Sequence, residues 1–498
     1  MDSPNILILV WDACRYDAAK KYAPTLQSLA EENIWFENAI APAPWTLPSH
    51  VSIFTGDYPH KHRIFRPGQS PSSYPLLEEL DDRYTSYGIS GNPFFSHQTN
   101  ANDAFDEFYY TTPTLFADGL NATEIYEILE EGGGERSTLK KTSVLLQKVL
   151  NHDSPGKSLS NLLSVTTLPL AQTNRVLNRI PHPRFNEHDT FAYSPERNTQ
   201  HIKRSVRSEA DSSGSFFIFA NYMDTHRPYA PEPEYQRRHL GRECSYRELD
   251  RIDKEGTDTW AHLERLQRGE VTDHEIETLQ KLYAGTVNSV DDHLRQILDV
   301  LDETGLREDT LVVVTSDHGE ALGEPDEMGR RRVGHQMTVS DDVLRVPLVV
   351  AHPELEQARV EEYVSLKNLY RLTTGNLGHQ LKTETIKDIL TSSDGVVVSE
   401  YPPKDVSQAY NLHPDIPDRY IREEVSEHTT VVYEDGWKLL LTSNGDSWAW
   451  NRDSQCDPAE IPEEMRATCE KHLDRLVEEQ SNRIDADSVE QLERLGYL

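Results

Sequence analysis

Short, largely apolar runs, each followed by a polar residue, dominate the hydrophobic pattern of this chain. The four clearest runs lie at residues 5–11, 216–220, 311–316 and 346–350. Their length and their lack of polar alternation are typical of strands buried on both faces of a sheet. In addition, residues 283–302 place apolar side chains at helical spacing and precede Gly305, which predicts an amphipathic helix. Buried strands that alternate with helices predict an α/β fold with a large, mostly parallel central sheet flanked by helices.

The last third of the chain predicts a smaller unit of a different kind. Residues 428–450 carry short apolar segments separated by turn residues, which is typical of antiparallel hairpins, and residues 462–498 resemble a charged, amphipathic helical tail. We therefore expect a main domain at 1–355 and a C-terminal subdomain with a small antiparallel sheet at 356–498. Within the main domain the pattern weakens over 110–215, which predicts an insertion that serves as a lid.

The composition is strongly acidic, because 84 Asp and Glu residues against 50 Lys and Arg residues give a net charge of −34. Such a charge repels phosphates at long range, so we expect neither nucleic acid nor an anionic membrane as a partner. Only 16 of the 50 basic residues are Lys. An acidic, Lys-poor surface resembles that of proteins from halophiles that accumulate salt, where screening reduces self-repulsion. The alternative is an acidic protein without any adaptation to salt.

No stretch of the sequence has the length and the apolar character of a membrane span. The apolar run near the start, Ile6 to Trp11, has six residues, which is also too short for a signal sequence. We therefore expect a cytoplasmic protein without a membrane span, and the sequence predicts no oligomeric state. The four cysteines form no CxxC pair, so neither a disulfide framework nor a cysteine-based zinc site is expected.

Three segments carry residues suited to catalysis or metal binding, and two of them follow predicted strands. Asp12 ends the first apolar run, while Asp317 and His318 follow a later one. Carboxylate oxygen and imidazole nitrogen are ligands of divalent cations, although each Asp also fits a helix N-cap or a turn. The third segment begins at Thr46, where a helix N-terminus would attract an anion. The alternative is that Thr46 or Ser49 only caps that helix.

Six short motifs, taken in their order along the chain, resemble those of the sulfatase branch of the alkaline-phosphatase superfamily. They are Asp12 to Asp17, Thr46 to Gly56, Phe105 to Phe108, His226 to Pro231, Ser316 to Glu320 and Arg345 to Leu348. Each motif is weak by itself, but their common order makes the resemblance specific over about residues 1–110 and 216–355. The resemblance implies the α/β fold of that superfamily and a metal-dependent, ester-cleaving catalytic domain within residues 1–355.

The sequence departs from the usual sulfatase pattern at positions that decide the chemistry. The signature Cys or Ser that the usual sulfatases convert to formylglycine is Thr46 here, which cannot be converted. His50 replaces the signature Arg, and Ala13 replaces the second Asp of the opening motif. Asn92 and His335 stand where Lys residues are expected. This pattern is more similar to the Thr-nucleophile members of the superfamily, which include phosphodiesterases, phosphonate monoester hydrolases and phosphoglycerol transferases.

Carried over residue by residue, the resemblance implies a metal site with catalytic and substrate-binding residues around it. The implied metal ligands are Asp12, Thr46, Asp317 and His318. The implied catalytic residues are Thr46 as the nucleophile, with His226 and His335 as oxyanion-binding groups or as the acid for the leaving group. The implied substrate-binding residues are Asn92 and His50. Mixed oxygen and nitrogen ligands favour Mn²⁺ or Zn²⁺, with Mg²⁺ and Ca²⁺ as alternatives.

We expect one divalent ion and no second one. An alternative leaves room for a second ion, because Asp224 beside His226 could join His335 to hold it. His226 is also open to a second interpretation, in which it is only a structural residue at a strand end.

Together, the residues and the resemblance predict a metal-dependent hydrolase of phosphate or sulfate esters with Thr46 as its nucleophile. We expect phosphate esters, diesters in particular, to be favoured, and the substrate to be a small-molecule or glycan ester. Two alternatives from the same class are a sulfuric ester hydrolase that works without formylglycine and a transferase of the phospho group. A third alternative, from another class, is an inactive binding protein, and the intact candidate metal ligands argue against it.

Overall fold

The computed structural model describes residues 4–111, 195–249, 265–375, 381–403 and 427–494, apart from short gaps. The gaps are residues 67–68, 81–83, 97–98, 211, 213, 246–247, 267, 336–337, 392–394 and 453, and a few residues between 145 and 162 are described in addition. Side chains are described as far as residue 478. Most of the predicted insertion at 110–215 therefore lies outside the described residues.

The strands and helices are numbered in chain order. The strands are β1 (Asn5–Trp11), β2 (Ile34–Ile40), β3 (Tyr84–Ser90), β4 (Glu107–Tyr110), β5 (Ser215–Tyr222), β6 (Thr310–Thr315), β7 (Ala321–Pro325), β8 (Arg331–Gly334), β9 (Arg345–Val346), β10 (Leu348–Ala351), β11 (Ala358–Ser365), β12 (Val397–Tyr401), β13 (Thr429–Glu434), β14 (Trp437–Thr442), β15 (Ser447–Asn451) and β16 (Ser454–Cys456). The helices are α1 (Tyr16–Tyr22), α2 (Pro24–Glu32), α3 (Thr46–Thr55), α4 (Pro59–His62), α5 (Pro75–Glu78), α6 (Ala101–Ala104), α7 (Pro195–Glu209), α8 (Pro233–Leu240), α9 (Asp273–Thr304), α10 (Asp341–Leu344), α11 (Leu369–Thr374), α12 (Thr383–Leu390) and α13 (Glu463–Arg494). None of the described helices combines the length and the apolar character that a membrane span requires.

Nine strands form the central sheet in the order β11-β2-β10-β6-β1-β5-β3-β4, with β9 beside β2. Strand β1 lies in the interior of the sheet, parallel to β5 on one side and to β6 on the other. The outer pairs β11-β2, β5-β3 and β3-β4 are also parallel, whereas β9 and β10 run antiparallel to their partners. The predicted α/β fold with a large, mostly parallel central sheet is thereby confirmed.

Both faces of the central sheet are covered, as the continuous apolar runs predict. Helices α2, α7 and α9 pack on one face, and helices α3, α11 and α12 pack on the other. Successive residues of β1 alternate between these two cores, and all of its apolar side chains are buried. Burial on both faces explains why β1 contains no alternating polar positions.

Helix α9 contains the predicted helix at 283–302 and begins earlier, at Asp273. Thr272 and Glu275 form a capping box in which the Thr272 side chain accepts the backbone N–H of Glu275. The helix ends at Gly305, whose φ of 72° is in the left-handed region that glycine adopts readily. The end of the helix was therefore predicted correctly and its start was not.

The predicted strand at 346–350 is divided into β9 and β10 by Pro347. Proline has no backbone N–H to donate, although its carbonyl oxygen accepts a hydrogen bond from Oγ1 of Thr315 at 2.8 Å. Strand β10 runs antiparallel to both β6 and β2. Its carboxyl end therefore points away from the edge that the other three predicted strands share.

A second, antiparallel sheet has the strand order β12-β13-β14-β15-β16, which confirms the predicted small C-terminal sheet. The β13–β14 hairpin closes at Asp435 and Gly436, whose φ angles of 46° and 83° match the predicted turn. Helix α13 packs on one face of this sheet, and the other face packs against the main domain. The boundary between residues 355 and 356 stays a prediction, and β11, which follows it, pairs with β2 of the central sheet.

Candidate active site

The candidate residues selected from the sequence come together at one edge of the central sheet. Four neighbouring strands, in the order β6-β1-β5-β3, have their carboxyl ends there. The polar residues at or just beyond these ends are Asp317, Asp12, Asn221 and Asn92. Because parallel strands deliver their carboxyl ends to the same edge, residues that are distant in sequence become neighbours at a site of this kind.

The carboxylate of Asp12 is completely buried, and only one of its oxygens is hydrogen bonded. Oδ2 accepts hydrogen bonds from Nδ2 of Asn92 at 2.6 Å and from Nδ2 of Asn221 at 3.1 Å. Oδ1 has no hydrogen-bond donor and lies 3.6 Å from Nε2 of His318. Burial, followed by the charge of Asp317, raises the pKa of Asp12. A cation beside Oδ1 would offset the free-energy cost of burying this carboxylate oxygen without a hydrogen-bond donor.

The two oxygens of the Asp317 carboxylate also differ in their hydrogen bonding. Oδ1 accepts the backbone N–H groups of Ala13 at 3.3 Å and of His318 at 3.0 Å. Oδ2 makes no hydrogen bond and lies 3.5 Å from Nε2 of His318 and 3.4 Å from Nδ1 of His50. Burial by itself raises the pKa of Asp317, but the interactions with His318 and His50 outweigh it, and the net shift is downward. Two buried carboxylates thus direct unpartnered oxygens at the same imidazole nitrogen.

His318 presents a lone pair to this cluster. Its Nδ1 lies 2.9 Å from the carbonyl oxygen of Gly319, which can only accept, so Nδ1 carries the proton and donates. Nε2 then faces the two carboxylates and Oγ1 of Thr46, which is 3.3 Å away. Burial lowers the pKa of His318, and the neutral imidazole is the form that binds metals. Asp12, Asp317 and His318 offer ligand atoms that lie within 4.8 Å of one another, and this donor set fits a divalent cation.

Thr46 is the first residue of α3, and its hydroxyl points into the same cluster. Oγ1 lies 3.3 Å from Nε2 of His318 and accepts a hydrogen bond from Nδ2 of Asn92, also at 3.3 Å. Helix α3 has no side-chain N-cap, and α1 begins after Arg15, likewise without a side-chain cap. Neither Thr46 nor Asp12 therefore serves as a helix cap, which removes the alternative interpretation of both residues.

His50 lies one turn further along α3 and is completely enclosed. Its Nδ1 lies 3.0 Å from the carbonyl oxygen of Thr46 and 3.4 Å from Oδ2 of Asp317. Its Nε2 lies 3.4 Å from Nδ2 of Asn221. The imidazole stacks on the ring of Phe95, with the ring centroids 5.3 Å apart. With an exposed fraction of 1%, His50 contacts the cluster residues from within the core.

His226 and His335 extend the cluster as a row of imidazole rings. The ring centroids of His318 and His335 are 4.2 Å apart, and those of His335 and His226 are 5.0 Å apart. Nδ1 of His335 lies 3.0 Å from Oε1 of the buried Glu320. Nδ1 of His226 donates to the carbonyl oxygen of Arg227 at 2.6 Å. His226 is partly exposed whereas His335 is buried, so the row leads from the core toward solvent.

Two residues of this site were not selected from the sequence. Asn221 bonds Asp12, and Glu320 bonds His335. Both residues stand at or shortly after the carboxyl ends of predicted strands. Their polar character at that position is the signal in the sequence that marks them as candidates. Asp224, by contrast, belongs to neither of the two groups of three potential metal ligands among the described residues.

Comparisons with known protein families and sequences identify the family of this chain. A model of the Sulfatase family matches residues 4–374. The choline-sulfatase of Rhizobium meliloti is 22% identical over 371 residues, which cover 70% of this chain and 63% of that protein. The multifunctional alkaline phosphatase superfamily protein PehA of Trinickia caryophylli is 23% identical over 400 residues, which cover 70% of this chain and 68% of that protein. The chain thus spans less than two thirds of the choline-sulfatase that it matches.

A solved structure of similar architecture is the phosphonate monoester hydrolase from Silicibacter pomeroyi. It is 17% identical, gives a TM-score of 0.55, and the alignment covers 99% of this chain and 96% of that chain. A likeness at this level of identity shows the fold, and it agrees with the predicted architecture. The family model spans most of the chain, and four of the six motifs that suggested the resemblance contribute residues to the cluster around Asp12 and Asp317. The chain therefore belongs to the sulfatase family, within the alkaline-phosphatase superfamily.

Proposed function

We propose that this protein hydrolyses phosphate or sulfate esters of small molecules or glycans, with Thr46 as the nucleophile and phosphate esters as the preferred class. The observation that carries this proposal is the place of the Thr46 hydroxyl. It lies 3.3 Å from both Nε2 of His318 and Nδ2 of Asn92, inside a buried group of carboxylates. A hydroxyl in contact with polar groups that can activate it is typical of a nucleophile. An inactive binding protein would have no need of this arrangement.

The residues that we propose as ligands of a single divalent cation are Asp12, Thr46, Asp317 and His318. The unpartnered carboxylate oxygens and the lone pair of His318 support this assignment. Their mixed oxygen and nitrogen donors favour Mn²⁺ or Zn²⁺, with Mg²⁺ and Ca²⁺ as alternatives. When bound, such an ion supplies Lewis-acid chemistry, because it lowers the pKa of a coordinated hydroxyl and neutralises charge on the ester oxygens.

In the proposed first step, Oγ1 of Thr46 attacks phosphorus in line with the bond to the leaving oxygen and releases its proton to water. The new O–P bond forms as the P–O bond to the leaving group breaks, which gives a phospho-Thr46 intermediate. Nδ2 of Asn92, already in contact with Oγ1, is a neutral donor for a non-bridging oxygen. The N-terminus of α3 favours the added negative charge. His50 positions the nucleophile through the carbonyl group of Thr46.

His226 and His335 are the proposed acid and base groups. A protonated imidazole donates its proton to the departing oxygen, and the neutral imidazole then accepts a proton from the water that attacks phospho-Thr46. The histidine thereby returns to its starting state. The hydrogen bonds of the two Nδ1 atoms, to Glu320 and to the carbonyl oxygen of Arg227, fix the orientation of both rings.

The preference for phosphate follows from the chemistry that Thr46 lacks. A formylglycine hydrate expels sulfate by collapsing to an aldehyde, whereas Thr46 has a single hydroxyl and is released only when water attacks phosphorus or sulfur. Phosphoryl groups accept such an attack when positive charge and donors hold their equatorial oxygens. Asn92, in the place of a Lys, also reduces the positive charge beside the ester.

Hydrolysis of sulfate esters without formylglycine is the second candidate, and the similarity to choline-sulfatase favours it. The test compares an aryl phosphate, a bis-aryl phosphate and an aryl sulfate with the same leaving group. The protein is loaded with Mn²⁺, Zn²⁺, Mg²⁺ or Ca²⁺ in turn, at high KCl concentration, and Thr46→Ala serves as the control. We expect multiple turnover of the phosphate esters and slower turnover of the sulfate. Rapid multiple turnover of the sulfate with no turnover of either phosphate would reverse the assignment.

A further inference from the structure

A second cluster of metal-ligating side chains lies where helix α4, strand β12 and helix α13 meet. It consists of His60, Glu400 and His472, and it shares no residue with the candidate active site. Nδ1 of His60 lies 2.6 Å from Oε1 of Glu400, and Nδ1 of His472 lies 2.7 Å from the same oxygen. The three potential ligand atoms, one from each residue, lie within 4.8 Å of one another. Three elements that are distant in sequence thus place three potential ligand atoms close together.

Glu400 is fully buried, and its carboxylate is held by the protein on both sides. Its second oxygen, Oε2, accepts the backbone N–H of His60 at 2.8 Å. The rings of His60 and His472 meet edge to face with their centroids 4.9 Å apart, and His472 meets Tyr58 in the same way at 5.3 Å. The side chain of His472 keeps 14% of its surface exposed, so an ion can reach the cluster from that side.

A fully buried carboxylate needs positive charge beside it, and two chemistries supply it here. In the first, the histidines donate N–H groups to Glu400, and both Nδ1 atoms donate to Oε1, which has a lone pair for each. In the second, one metal ion takes the place of both protons and binds all three groups. Two imidazoles and one carboxylate form a ligand set that is well known for Zn²⁺. The placement of all three ligand atoms within 4.8 Å of one another fits the second chemistry.

We infer that His60, Glu400 and His472 bind a Zn²⁺ ion. Zinc binds histidine nitrogen and carboxylate oxygen at about 2.0–2.2 Å, so ligand atoms around it lie roughly 3.3 Å apart. The separations of 2.6 and 2.7 Å therefore need to widen by less than an ångström. Two Zn–N bonds and one Zn–O bond form, any Nδ1 protons pass to solvent, and water supplies the fourth ligand.

This ion is additional to the one expected at the active site, and none of its ligands belongs to that site. It ties α4, which follows the nucleophile helix α3, to the strand and helix that form the C-terminal part of the chain. The inference does not depend on the proposed activity, because none of its ligands contacts Thr46 or the residues around it in the described hydrogen bonds.

The zinc content of the Asp317→Ala variant reports on this site directly, because the substitution removes a ligand of the active-site ion. Protein without a polyhistidine tag is stripped with chelator, reloaded with Zn²⁺, dialysed at high KCl concentration and analysed by atomic absorption. We expect Asp317→Ala to keep a single zinc ion per chain and Asp317→Ala/His472→Asn to keep none. His352→Asn in the same background is the matched control, because His352 is also buried but lies outside both clusters, and it should keep the zinc.

Equal zinc contents in Asp317→Ala and Asp317→Ala/His472→Asn, whether both contain zinc or neither does, would overturn the inference and leave a hydrogen-bonded triad. Circular dichroism establishes that each variant is folded, and Glu400→Gln, which preserves the shape of the side chain, replaces His472→Asn if the latter is not. Cobalt provides a second readout. Four-coordinate Co²⁺ at this site should give visible absorption bands in Asp317→Ala that are absent from the double variant, and their persistence would also contradict the inference.

Discussion

Nε2 of His318 lies 3.3 Å from Oγ1 of Thr46, although 272 positions separate the two residues in the chain. The backbone carbonyl of Gly319 fixes the His318 ring through Nδ1, and His50 holds the first turn of α3 through the carbonyl of Thr46. The contact therefore joins the end of β6 to the start of α3, and each partner is oriented from behind by its own hydrogen bond. Substitutions at Thr46 or His318 should therefore lower the activity more than they lower the stability of the fold.

Replacement of Thr46 tests the nucleophile. Thr46→Ala should lower kcat/KM for an aryl phosphate ester by roughly 10⁴- to 10⁶-fold, the loss that removal of a catalytic nucleophile causes in other hydrolases. Thr46→Ser keeps the hydroxyl and should retain measurable turnover. Steady-state kinetics give the comparison, with circular dichroism as the control for folding. Turnover by Thr46→Ala at the rate of the unmodified protein would remove Thr46 from the mechanism.

Metal retention separates the role of Asp317 from that of His335. Asp317→Ala removes a carboxylate oxygen that faces Nε2 of His318, so it should lose both the active-site ion and activity. His335→Ala should lose activity and keep the ion, because His335 is not among the proposed ligands and packs against His318, one of them, through its ring. Metal analysis after dialysis, alongside turnover of the aryl phosphate, distinguishes the two outcomes. Loss of the ion from both variants would instead assign His335 to a second metal.

The acid sensitivity of the fold depends in part on Glu37. Burial by itself raises the pKa of Glu37, but hydrogen bonds from Tyr16, Arg359 and Lys20 outweigh it and lower the pKa to about 2. A carboxyl group with a lowered pKa stabilises the folded state above its unfolded pKa, and this contribution is lost as the pH falls. Glu37→Gln should therefore lower the free energy of unfolding at neutral pH by about 1 kcal/mol, the scale of a partly exposed ion pair.

Urea unfolding measures this difference between Glu37→Gln and the unmodified protein, and the difference should shrink steadily below the unfolded pKa of about 4.3. Glu362→Gln is the control, because Glu362 is exposed in the neighbouring strand β11 and should have no effect at any pH. A difference for Glu37→Gln that does not change with pH would show that the loss comes from packing rather than from charge.

Salt should stabilise this protein strongly if its charge is an adaptation. With a net charge of −34, repulsion between carboxylates destabilises the compact state, and added ions screen that repulsion. The melting temperature should therefore rise steeply between low and molar KCl concentrations. Differential scanning calorimetry gives the measurement, and NaCl at the same ionic strength should act similarly. A melting temperature that stays flat across this range would exclude the interpretation as a halophilic protein.

Much of the central sheet could be predicted because its strands are buried on both faces. The apolar run at 5–11 coincides with β1, since a strand covered on both sides has no polar position that could blur its limits. The direction of β10 could not be predicted in this way. An apolar run carries no information about the direction of its strand. The antiparallel direction of β10 depends on the path of the chain between β6 and β10.

Part of the candidate active site could be predicted from the sequence for a similar reason. Asp12 and Asp317 follow strands that the pattern predicts, and parallel strands bring such residues to one edge. Asn221 was missed because an amide at a strand end has no distinctive chemistry until its partner is known. His60 and Glu400 lie 340 positions apart, and His472 lies 72 positions further on, so no local spacing signals their convergence.

Strand β1 leaves the ribosome long before either of the strands that flank it. Its Ile6 pairs with Phe217 of β5 and with Leu311 of β6. At roughly 5–20 residues per second, translation needs about 10–40 s to deliver the first of these partners. Throughout that interval both edges of β1 are open, a state that invites aggregation. Nascent chains that stop short of β5 should therefore depend on chaperones, and only chains that extend past β6 can enclose β1 and assemble the cluster around Asp12.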